Sequence, residues 1–138
     1  MTTKQSFKIA ADVIYKPNKQ HRDKNPNKSQ WTISILEEVK VFENTYPNNW
    51  IDQSVGWGLH FVNNGVQYLG NASNQNRRLF IAKFMDGNCN GKWHGYPADY
   101  QTNIQDIPNE FGLKEWVDKR YLSNAKIAKI TQGKPCSL

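Results

Sequence analysis

Apolar side chains recur at every second position over Phe7, Ile9, Ala11, Val13 and Tyr15. That spacing predicts one strand with a single apolar face, closed by Pro17. Trp31, Ile33, Ile35, Val39 and Val41 alternate in the same way, and Glu37 breaks the stripe. Their β-branched content favours a strand or two strand pieces, with a helix through Ile35, Leu36, Val39 and Phe42 as the competing reading. Residues 44–49, with Pro47, read as a turn. A third stripe follows at Val55, Trp57, Leu59 and Phe61, with Gly56, Gly58 and His60 on its other side. Asn64-Gly65 then supplies two residues that accept positive φ, as a type I′ hairpin turn requires. A loop of those two residues would set Phe61 opposite Tyr68 and His60 opposite Leu69. Gly56 and Gly58 together leave room for another element to approach closely.

Residues 70–76 are polar and read as a loop. The run 78–84, Arg78 to Phe84, is nearly continuous in apolar character, as for a central strand covered on both faces. A turn cluster at 86–91 leads to Lys92-Trp93-His94-Gly95-Tyr96-Pro97, a short returning strand that Pro97 ends. Pro108 suits the first turn of a helix, and Leu113, Trp116, Val117 and Tyr121 share one helical face. The stretch 125–130 reads as a last strand. These elements predict one α+β domain over 1–138, with a mostly antiparallel sheet of about five to seven strands and one main C-terminal helix at about 108–122.

Charge adds a feature that the apolar pattern does not show. The chain of 138 residues has a net charge of +6. Seven Lys/Arg against two Asp make the first thirty residues +5, whereas 31–60 are −3 and 61–138 are +4. Most of the early excess lies in 16–30, which has two prolines, three Asn and no large apolar residue. This composition predicts a basic, flexible, solvated loop, His21 included. Lys16, Lys19, Arg22, Lys24 and Lys28 on it could meet phosphates or an acidic protein, with Trp31 bordering it, and Arg77 and Arg78 could add to such a surface. Within the loop no aromatic is available for base stacking.

The five Trp argue for a folded core. No apolar run approaches the ~20 residues of a membrane helix, and the start has no hydrophobic signal region, so a cytoplasmic protein with no membrane association is expected. Cys89 and Cys136 cannot by themselves form a disulfide framework or a four-ligand zinc site. No phosphate-binding glycine loop, nucleophile elbow or zinc-protease helix is present, so neither a cofactor nor a metal is expected.

The densest chemical cluster is 92–97. On a strand, Lys92, His94 and Tyr96 share one face while Trp93 takes the other. His94 with His60, supported by Lys92, Tyr96, Arg77 and Arg78, would be the equipment of a metal-independent ribonuclease if both imidazoles reached one cleft. The competing reading has His94 and Tyr96 bonded to loop backbone.

Across Leu79 to Phe84, Lys92 to Pro97, Ile107-Pro108, Trp116 and Ile127 to Ile130, the chain resembles small uncharacterised bacterial proteins, over roughly residues 55–135. In size, start and Asn/Lys-rich composition it is similar to the immunity proteins encoded beside bacterial contact-dependent or secreted toxins. The basic charge departs from that pattern, since immunity proteins facing basic nucleases are often acidic. The resemblance implies a non-enzymatic protein that inhibits a toxin-like partner by forming a complex, and it transfers no site residue. RNA is the competing partner.

Overall fold

The computed structural model describes residues 5–48, 50–73 and 77–138. The first four residues of the expected leaderless start, Asn49 of the expected turn and 74–76 of the expected polar loop lie outside that set.

The first alternating stretch reverses on itself. β1 (Phe7–Ala10) and β2 (Val13–Tyr15) form an antiparallel hairpin, not one strand, pairing Phe7 with Tyr15 and Lys8 with Ile14. Ala11 and Asp12 make the reversal, and the odd-numbered apolar stripe survives it, so alternation alone reads straight through the turn. After β3 (Gln30–Trp31) the expected strand over 31–41 is corrected to a helix, α1 (Ile35–Thr45). Its start is set by a capping box. The Ser34 hydroxyl accepts the Glu37 amide at 3.1 Å, and the Glu37 carboxylate accepts the Ser34 amide at 2.9 Å. Glu38, Val39, Val41, Phe42 and Thr45 then form its buried stripe.

β4 (Ile51–Asp52), β5 (Val55–Val62) and β6 (Gly65–Gln67) follow. The hairpin turn sits one residue earlier than expected, on Asn63 and Asn64, both at positive φ (52° and 67°). Phe61 therefore pairs with Val66 and His60 with Gln67, so the expected Phe61–Tyr68 and His60–Leu69 pairs do not form. Two successive Asn accept the left-handed conformation, which frees Gly65 to enter the strand.

β7 (Gly70–Asn71) and β8 (Arg78–Leu79) join β3 in a small sheet ordered β3-β7-β8. The expected single strand over 78–84 is divided: Arg78 and Leu79 form β8 of the small sheet, and β9 (Ile81–Met85) takes the centre of the main sheet, flanked by β5 and by β10 (Lys92–Pro97). The main sheet is ordered β1-β2-β10-β9-β5-β4, with β6 on β5. It is mixed: β10 runs parallel to β2, and the other pairs among the described strands are antiparallel.

The expected helix at 108–122 is shorter. Asn109 caps α2 (Glu110–Asp118), which leaves Pro108 ahead of the cap. The expected last strand at 125–130 is a helix, α3 (Asn124–Thr131), capped by Ser123. Its short apolar run fits either period, and the Ser cap decides between them. The fold is thus α+β, with three α-helices among the described residues rather than one main C-terminal helix.

The main sheet separates two apolar clusters. On one face Tyr15, Phe42, Phe84 and Trp93 pack with the buried side of α1. On the other, Trp57, Leu59 and Ile81 meet Leu113 and Trp116 of α2, Ile130 of α3, and Tyr100 from the segment after β10. Gly58 is where α1 touches the sheet most closely. A Cβ there would lie 2.0 Å from Thr45 Oγ1 and 3.2 Å from Val41 Cγ1. The Thr45 hydroxyl is itself bonded to Val41 O at 2.7 Å, so it cannot withdraw freely. Gly58→Ala should therefore lower the unfolding free energy by about 1–3 kcal/mol, read as a lower urea midpoint at unchanged slope.

Candidate functional site

The register of the three central strands places Trp57, Lys83 and Tyr96 side by side on the face that carries α2 and α3. The segment after β10 crosses above them and brings Asp106 down from a 3₁₀ turn (Ile104–Asp106). Tyr96 donates its hydroxyl to Asp106 Oδ1 at 2.7 Å, and Lys83 Nζ lies 3.5 Å from the same oxygen. Lys83 also donates to Gln105 O at 2.6 Å. Asp106 Oδ2 accepts the Asp99 amide at 3.0 Å, and the Trp57 indole donates to Asp106 O at 3.2 Å. Lys83 and Asp106 are 6% and 2% exposed, so each charge depends on the other and on these bonds. Burial, then the bond to Asp106, pushes the Tyr96 phenol far above its ordinary range. Asp99 completes the cluster with a two-pronged pair to Arg77 at 2.9 and 2.6 Å. Burial alone would raise its carboxyl, but the bonds from Arg77 and Thr102 hold it below the usual carboxylate range.

His21 closes the cluster from above. The expectation that it is solvated is corrected. Asn18 caps a 3₁₀ turn (Lys19–His21) that turns the imidazole inward, where it stacks on Tyr96 at 5.2 Å between centroids and 17° between planes. Its Nδ1 is 2.8 Å from Ser29 O. A carbonyl only accepts, so Nδ1 carries the proton and Nε2 the lone pair. Burial is the main cause that lowers its pKa, which keeps the ring neutral. The Ser29 hydroxyl ties the loop to Pro97 O at 2.7 Å. A polar cavity of about 330 Å³ lies here, with His21, Lys28, Tyr96, Asp99, Asn103 and Asp106 in its wall. It presents a neutral imidazole, a protonated phenol and one lysine, so it can hold a polar group by hydrogen bonds. The two carboxylates in its wall are already neutralised by Lys83 and Arg77.

The residues expected to form a catalytic set divide between two places. Lys92 and His94 stand together on β10, as expected, and both are exposed. His94 Nδ1 is 3.0 Å from Lys16 O. His60 lies on the other face of the sheet, with Nε2 3.8 Å from Glu37 Oε2. His94 is level with Val55 through Met85. Two strand spacings across and five residues along β5 then put the His60 and His94 backbones roughly 19 Å apart. The sheet itself stands between the two rings. Tyr96 shares the His94 face but gives its hydroxyl to Asp106.

The basic residues of 16–30 also divide. Lys16, Lys19, Lys24 and Lys28 are exposed. Arg22 is turned inward, bonded to Glu38 Oε1 through Nε at 3.0 Å and Nη2 at 2.8 Å, and to Ile33 O at 2.9 Å. Trp31 is 6% exposed beneath it, with the guanidinium 6.0 Å from its ring centroid. Arg77 is paired with Asp99, and the exposed Arg78 lies over Tyr68 at 4.1 Å. Lys83, Asp99, Asp106 and Glu38 were not expected to take part. A lone lysine within the apolar run 78–84 was the visible trace of this cluster.

Among the described residues, no helix is long and apolar enough to cross a membrane, and no group of three or more His, Cys, Asp or Glu could hold a metal ion. No protein-family model, no curated protein and no solved structure matches the chain.

Proposed function

We propose that this chain is a cytoplasmic, non-enzymatic binding protein of the bacterial immunity or antitoxin type, which inhibits a toxin-like partner protein by holding it in a complex. The observation that carries this reading is the separation of the two histidines. Acid–base cleavage of a phosphodiester needs both groups within reach of one phosphate, and here the sheet lies between them. Two further features support it. Tyr96, His21 and Arg22 spend their polar groups on internal bonds, and those of Arg22 to Glu38 fasten the basic loop to the body. The lysines left outside suit association with an acidic surface, where they raise encounter rate and selectivity.

The test is co-expression with the product of the neighbouring gene. A stoichiometric complex that survives size exclusion, with the partner's activity suppressed, is the expected result. Separate elution of the two proteins would count against the reading. RNA cleavage by the purified chain that His94→Ala abolishes without unfolding would replace it with the ribonuclease reading.

A further inference from the structure

We propose that the partner docks on the open face of β1, β2 and β10, where Lys8, Lys16, Lys92 and His94 surround Ile14, and that it presents carboxylates there. The proposal rests on the binding-protein reading and names its surface.

The register builds this face. Lys8 and Lys92 are both opposite Ile14, one on each side, so the three side chains form a row across three strands. One residue further along β2 and β10, Tyr15 is opposite Trp93, and both point to the α1 side. The next positions, Lys16 and His94, return to the open face, and the His94 Nδ1 bond to Lys16 O holds them together. A hollow of about 270 Å³ is lined by Ser6, Ile14, Lys16, Lys92 and His94. With strands ~4.8 Å apart, the outer two lysines of the first row are separated by about 10 Å at the backbone.

Nothing in the described residues covers or neutralises this face. The cluster under α2 and α3 includes no residue of β1 or β2, and Ile14 and Met85 are 38% and 39% exposed. Arg22, Arg77 and Lys83 each have a carboxylate, yet none of the ion pairs among the described residues includes Lys8, Lys16 or Lys92. The hairpin's own acid, Asp12, sits at the turn beyond Val13. Three like charges held this close repel one another, and an anionic partner relieves that repulsion.

The apolar content of the face favours a protein over RNA. Unpaired bases need an aromatic platform, and the aromatic residues of these strands are taken up inside: Tyr15 and Trp93 are 0% and 4% exposed, Phe7 packs on the same cluster, and Tyr96 lies under His21. What remains is Ile14 at the centre, ringed by ammonium groups, with Met85 on the far side of His94. That complements an acidic protein surface with an apolar residue at its middle.

The test is an NMR titration of the isotope-labelled full chain, at low and at ~0.15 M salt, with an oligoglutamate peptide and with a uridine oligonucleotide of equal length. The peptide should move the amides of Lys8, Ile14, Lys16, Lys92 and His94, and added salt should weaken it. Lys8→Glu with Lys92→Glu should reduce its affinity about tenfold or more, and reversing two exposed lysines elsewhere, Lys40→Glu with Lys129→Glu, should leave it unchanged. Shifts centred on 19–28, no binding at low salt, or tighter binding of the oligonucleotide at this face would each overturn the proposal. A neighbouring-gene complex that forms and survives Lys8→Glu with Lys92→Glu would remove this face and leave the binding-protein reading standing. Absence of any such complex would remove that reading itself.

Discussion

Asp106→Ala should lower the unfolding free energy by about 3–5 kcal/mol, because it leaves a buried charge without its partner. The substitution removes the oxygens that serve Lys83, the Tyr96 hydroxyl and the Asp99 amide. Lys83 is 6% exposed and its β9 neighbours are fully packed, so water cannot easily replace the carboxylate. Among the described residues, the Gln105 carbonyl and the Trp57 ring, 5.7 Å away, remain to it. Asp106→Asn should cost less, since its amide oxygen can still accept from Tyr96. Lys83→Met combined with Asp106→Asn should recover part of the Asp106→Ala loss, because removing both charges removes the desolvation problem. Urea unfolding of the variants at matched pH gives the comparison. A loss below about 1 kcal/mol for Asp106→Ala would mean that the pair is hydrated and behaves like a surface ion pair.

This cluster also shows what the sequence could and could not disclose. Lys83 stood out as the one charge inside an apolar run that Arg78 opens, but its partner lies 23 residues away in a segment that reads as loop. The layered α+β pattern was legible because apolar spacing is a local property, and the apolar run 78–84 announced the central strand β9, although its first two residues pair in the small sheet. Three local choices went the other way. Ser34-x-x-Glu37 is a capping box, and the two bonds it makes outweigh the β-branched content that favoured a strand. Ser123 settles Asn124–Thr131 as helix in the same way. In the hairpin, two adjacent Asn competed with Asn-Gly for the turn, and both kinds of residue tolerate positive φ.

The basic segment was misjudged for a different reason. Composition counts charges and does not record partners. Of its five basic residues Arg22 is a core residue in function, and His21 is a lid on Tyr96. The His60–His94 question was decided by strand order and register together, which no pattern within either strand contains.

Glu38→Ala should be about as costly as Asp106→Ala, roughly 3–5 kcal/mol, and its pH behaviour carries a second, sharper prediction. Glu38 is wholly buried on α1. The Tyr15 hydroxyl donates to its Oε2, and Arg22 takes Oε1 with two bonds. The alanine variant leaves a buried phenol and a half-buried guanidinium without their acceptor, and it unfastens α1 from both β2 and the basic loop. Burial raises the Glu38 carboxyl above its ordinary value, and this outweighs the lowering by the Tyr15 and Arg22 bonds. The folded chain therefore takes up this proton more readily than the unfolded chain. As pH rises from below about 4.3, the unfolded state ionises Glu38 first and is stabilised relative to the folded state. Through Glu38 the wild type thus loses stability across the window up to the folded value, and this contribution stays level above it. Glu38→Gln cannot titrate at this position, so its stability should gain on the wild type across that window and keep a constant gap beyond it. Urea midpoints of the two proteins at matched pH values isolate the effect, because every other carboxylate is common to both. A gap that instead moves in favour of the wild type over the same window would show that pairing with Arg22 outweighs burial.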